Sequence, residues 1–132
     1  MTDSINAPIT GVWRVIFEGA PTPWHMYTFT SDGIVIQSNP ARGNSRTSDT
    51  NLHGIWRHIE HRDKVQVRLE EWRMNLEDPT DVTLGIVTFE IKITGDTLSG
   101  LSKFEVRDRD SGAIVEGPYD ESLTGQRVRF AN

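Results

Sequence analysis

Apolar and polar positions alternate with period two along most of this chain, and turn residues interrupt the alternation at short intervals. "TGVWRVIF" at 10–17 sets the pattern, with Trp13, Val15 and Phe17 on one strand face. The same reading predicts strands near 10–18, 24–30, 33–38, 53–59, 64–74, 82–93, 97–107 and 122–130, and a short piece at 113–116. Turns are expected at "SDG" 31–33, "EHRD" 60–63, "EDPTD" 77–81, "TGD" 94–96 and "DRDSG" 108–112. No segment carries a helical period. About eight short strands with no helix to cover an open sheet predict an all-β, antiparallel up-and-down barrel, with 1–132 as one domain.

One hairpin can be registered from sequence alone. With "TGD" in the loop between Ile93 and Leu98, Ile91 meets Gly100, Phe89 meets Ser102, Val87 meets Phe104 and Gly85 meets Val106. Large residues oppose small ones, as a cupped interior requires. Lys92, Glu90, Lys103, Glu105 and Arg107 then fall on the solvent face. A second pairing stays open. A three-residue loop between 53–59 and 64–74 sets His53 opposite Glu71 and Ile55 opposite Leu69, whereas a four-residue loop turns Trp56 and His58 inward and pairs Ile59 with Lys64. "SNPARGNSRTSDTNLHG" at 38–54 has no period and reads as a long loop, either a lid over the barrel mouth or a plain surface excursion.

Composition narrows the function. A net charge of −5 disfavours nucleic acid and anionic membrane surfaces as partners. The absence of cysteine excludes disulfides, thiolate ligands and cysteine nucleophiles. "MTDSINAPIT" lacks the basic and apolar regions of a signal peptide, so a cytoplasmic location is expected. His25, His53, His58 and His61 have no metal-ligand spacing, and neither a metal nor another cofactor is expected. There is no phosphate-binding glycine loop and no nucleophile elbow.

Gly11-Val12-Trp13 at the head of the first strand resembles the lipocalin signature and, more broadly, the calycin superfamily. The resemblance implies that Trp13 closes one end of the barrel while an arginine of the last strand packs across its indole. "LTGQRVRF" offers Arg127 and Arg129 for that place. The second family motif, the disulfides and a signal peptide are missing, which points to a short, intracellular, bacterial-type form. Only "EGAPTP" separates the first two strands, too little for the helical lid of fatty-acid-binding proteins.

A barrel closed at one end leaves a cup at the other. Trp24, Tyr27, Phe29, Leu69, Phe89 and Phe104 are its candidate walls, and Glu71 and Arg73 its candidate polar contacts. The expected function is to bind a hydrophobic or amphipathic small molecule. The alternative is a cyclase or isomerase that folds a flexible substrate, with Glu71, His53 or Tyr27 as acid–base groups. A third reading, a purely structural barrel that forms a homodimer, predicts a packed interior without a cavity.

Overall fold

The computed structural model describes residues 8–38 and 46–131. Nine strands run in chain order: β1 (Gly11–Phe17), β2 (Trp24–Phe29), β3 (Ile34–Ser38), β4 (Thr47–Asp49), β5 (Leu52–Ile59), β6 (His61–Asn75), β7 (Val82–Thr94), β8 (Thr97–Asp108) and β9 (Ile114–Arg127). Every pairing is antiparallel, and the sheet closes through β6 and β7. Eight strands form the barrel wall in the ring order β5-β3-β2-β1-β9-β8-β7-β6. This is the closed, up-and-down, all-β barrel that the alternation predicts.

Inward positions follow the alternation. Trp13, Val15 and Phe17 are buried on β1, and Val65, Val67, Leu69 and Glu71 are buried in sequence on β6. The predicted β7–β8 register is the observed one at all five pairs, from Ile93–Leu98 to Gly85–Val106. The hairpin is legible because its large–small complementarity excludes a shifted pairing: Gly100 sits so close to β7 that a Cβ there would lie 2.2 Å from the Glu90 carbonyl oxygen.

One open pairing is resolved and two expectations are corrected. The β5–β6 pairing takes the alternative that turns Trp56 inward, with Trp56 opposite Val67 and His58 opposite Val65. The register then shifts, so that Ile59 meets His61 and not Lys64. Glu60 makes this tight turn with a φ of 60°. Next, the pieces at 113–116 and 122–130 are one strand, β9, whose register against β8 shifts twice between Phe104 and Arg107. Finally, 38–54 is not loop throughout, because β4 continues the line of β5 along β6 and pairs Asp49 with Arg73. Residues 39–45 of the expected lid lie outside the described residues.

One end of the barrel is sealed. Trp13 has no exposed surface, and its indole N–H donates to the Ile9 carbonyl at 2.8 Å. The Arg127 guanidinium lies 4.4 Å from the indole ring centre. It also donates to the carbonyl of Thr10 at 2.7 Å, to that of Pro8, and to Asp96 at 3.1 Å. Arg127 therefore takes the place left open between two arginines. Arg129 instead binds the outer side of Asp96 and is more than half exposed. The two arginines hold the Asp96 carboxyl below its ordinary range, Arg129 through the larger hydrogen-bond effect. Trp56 is the second aromatic at this end, buried, with its N–H on the Thr30 carbonyl at 2.9 Å.

Candidate functional site

Above the seal, the barrel interior is filled by aromatic rings. Tyr27 stacks with Phe17 at 6.3 Å and with Phe29 at 5.9 Å, and Phe89 meets Phe17 and Tyr27 edge-on at 6.4 and 5.7 Å. Leu69 is fully buried among them. These side chains end below the mouth, because both halves of each hairpin contribute bulk to the same layers.

At the opposite end from Trp13 the packing stops, and a cavity of about 720 Å³ opens. Phe17, Leu52, Val87, Phe104 and Tyr119 give it apolar walls, together with the 18–22 connection. The volume lies within the usual range for small-molecule sites. Glu71 and Arg73 project into it because β6 is long: its inward parity runs past the apolar core and reaches the mouth still in step. Opposite Glu71 stands Gly85, where a Cβ would come within 2.9 Å of the Glu71 Cγ. The missing side chain is the space in which Glu71 sits.

Arg73 is the electrostatic hub. Its Nε lies 3.7 Å from Asp49 and 3.9 Å from Glu71, and its Nη1 lies 3.5 Å from Glu116. Its carbon centre is 5.8 Å from the Phe104 ring. The Nε is buried without a hydrogen-bond partner, so the side chain is held by surrounding charge and ring contact. On the neighbouring wall, the Tyr27 hydroxyl donates to Gln37 Oε1, and Gln37 Nε2 lies 3.2 Å from His25 Nδ1. Gln37 and His25 line the cavity. Burial, and then the Glu71 charge, hold the Tyr27 phenol well above its ordinary value. Burial likewise pulls the His25 imidazole down.

The predicted site residues separate into three groups. Glu71, Arg73 and Phe104 meet at the cavity. Tyr27, Phe29, Leu69 and Phe89 belong to the packed layer beneath it and do not line it. Trp24 and His53 are on the outer face. Trp24 is 69% exposed, since inward parity on β2 belongs to His25, Tyr27 and Phe29. His53 pairs with Glu70, not Glu71, so the expected His53–Glu71 dyad does not form. Among the described residues no group of three or more candidate ligands is arranged for a metal.

Sequence reasoning missed His25 and Gln37 as site residues, although the spacing of His25, Tyr27 and Phe29 contains the signal for the first. It also missed Asp49 and the β9 residues Glu116, Tyr119, Asp120 and Glu121. Comparison with known proteins gives no matching family model, no matching curated protein and no matching solved structure.

Proposed function

We propose that this protein binds an amphipathic small molecule in the open end of the barrel, as a lipocalin-like member of the calycin group. The observation that carries the reading is the contrast within one interior: the barrel is packed solid around Trp13 and Tyr27, yet keeps an apolar-walled cavity of about 720 Å³ at its mouth. A purely structural barrel has no use for that space, because an unfilled interior forfeits dispersion contacts. Glu71 and Arg73 lie where a ligand's polar end would be read, and Phe104 and Val87 where its apolar body would rest.

The enzymatic alternative draws on one feature, the placement of Glu71 and His25 in the same cavity. Tyr27 is turned to Gln37, and His53 faces away, so acid–base work would fall to Glu71 and His25.

Binding is tested with the neutral dye N-phenyl-1-naphthylamine. It should show saturable fluorescence enhancement at one dye per chain. Val87→Trp, which fills the cavity opposite Phe104, should abolish the signal at a stability cost of about 1–3 kcal/mol. Dye binding that survives Val87→Trp would place the ligand elsewhere. Incubation with a cell extract, followed by mass spectrometry, separates the two readings. Stoichiometric recovery of an intact compound marks a carrier, and turnover beyond one equivalent marks an enzyme.

A further inference from the structure

The cavity's charge is one-sided. Glu18, Asp49, Glu71, Glu116, Asp120 and Glu121 line it, against a single guanidinium, Arg73. Arg73 is already committed to Asp49, Glu71 and Glu116. An incoming carboxylate would have to compete with these three built-in ones for one cation. The one cation of the cavity is thus already countered by the chain's own carboxylates. Glu18, Asp120 and Glu121 form no ion pair among the described residues, but Asp120 is on the outward face of β9 across from Lys103.

Glu121 is the most telling of the three. It is only partly exposed, and the backbone carbonyl of the same residue is taken by the Ser102 hydroxyl at 2.9 Å. Burial without a countercharge raises the Glu121 carboxyl above its ordinary value. A cation brought to this wall would restore its charge balance. The ring of Tyr119, two residues earlier on β9, offers such a cation a π face at the same rim. Walls of low polarity around a cluster of one sign focus its field into the opening.

We infer that the ligand of this cavity is an organic cation: an amine or quaternary ammonium group held at the Glu121–Tyr119 rim, with an apolar body directed between Val87 and Phe104. This inference rests on the binding reading above and adds the sign of the ligand to it.

Three probes of matched length test it by isothermal titration at low ionic strength and pH 7.5: octylammonium, neutral octanamide and octanoate. Octylammonium should bind at least about tenfold more tightly than octanoate, a difference of about 1.4 kcal/mol, with octanamide between them. The gap should narrow in 0.5 M NaCl. Glu121→Gln should reduce the preference of octylammonium over octanoate below about threefold. Glu121 lies at the rim, and circular dichroism checks that the variant is folded. Octanoate binding as tightly as octylammonium, or a folded Glu121→Gln variant that keeps the full preference, would overturn the cation inference and leave the cavity reading standing. Failure of all three probes to bind would instead remove the cavity reading itself.

Discussion

The two ends of this barrel treat charge in opposite ways. At the sealed end, Arg127 faces one carboxylate, Asp96, two backbone carbonyls and the Trp13 ring, and its donors are matched by acceptors. At the open end, Arg73 faces three carboxylates at 3.5–3.9 Å, and its buried Nε has no hydrogen-bond partner. The first arrangement is complete within the chain and stabilises the fold. The second holds excess negative charge beside a cavity and is left open, as the proposed ligand site requires. Two arginines on inward-facing strand positions thus serve different ends, because of what the neighbouring strands bring to each.

The largest effect that would test this contrast is at the seal. Trp13→Ala removes a fully buried indole and should lower unfolding free energy in urea by about 3–5 kcal/mol. A loss below about 1 kcal/mol would mean that the end is not sealed by packing. Arg127→Met should follow at about 1–3 kcal/mol, since it deletes the contact over Trp13 and leaves the Pro8 and Thr10 carbonyls without their donor. Arg129→Met should leave stability nearly unchanged, because its pairing with Asp96 is exposed to solvent. Equal losses at 127 and 129 would contradict the assignment of Arg127 alone to the seal.

The smallest effect is a pH dependence at the open end. Burial holds the folded-state pKa of His25 below its ordinary value of 6.5, so the folded state binds fewer protons than the unfolded state. Its contribution to stability is intact above about 6.5 and is lost as pH falls through that value toward the folded-state pKa. Burial of Glu121 acts with the opposite sign, favouring the folded state at acid pH. The two are separated by comparing wild type with His25→Gln. The variant should show a shallower fall in Tm between pH 7 and pH 5, whatever the absolute slope. An unchanged slope would mean that His25 protonates as freely in the fold as in the unfolded chain.

Much of the wall was readable from residue order. Strand alternation gave the inward face of β1, and the hairpin of β7 and β8 could be registered because glycines stand opposite bulky residues at fixed offsets. The placement of Glu71 and Arg73 at a mouth also follows from the sequence, since apolar parity on β6 gives way to charge without breaking step. Parity on β2 was equally available and was overridden by aromatic content, so Trp24 was placed inside although His25, Tyr27 and Phe29 share the inward face.

What lay beyond the sequence was every relation set by chain closure. Whether Trp56 or Ile55 turned inward hung on one residue of turn length, and the Glu60 turn with its register shift settled it. The choice of Arg127 over Arg129 depended on where Asp96 and the 8–10 carbonyls arrive, more than thirty residues away along the chain for Asp96 and more than a hundred for the carbonyls. The acidic mouth was likewise invisible, because its carboxylates come from β4, β6, β9 and the β1–β2 connection. Period-two alternation fixes which way a side chain points, since that is a property of one strand. Which side chains meet is decided by register and closure across strands, and it was there that the barrel acquired a sealed end and a charged cup.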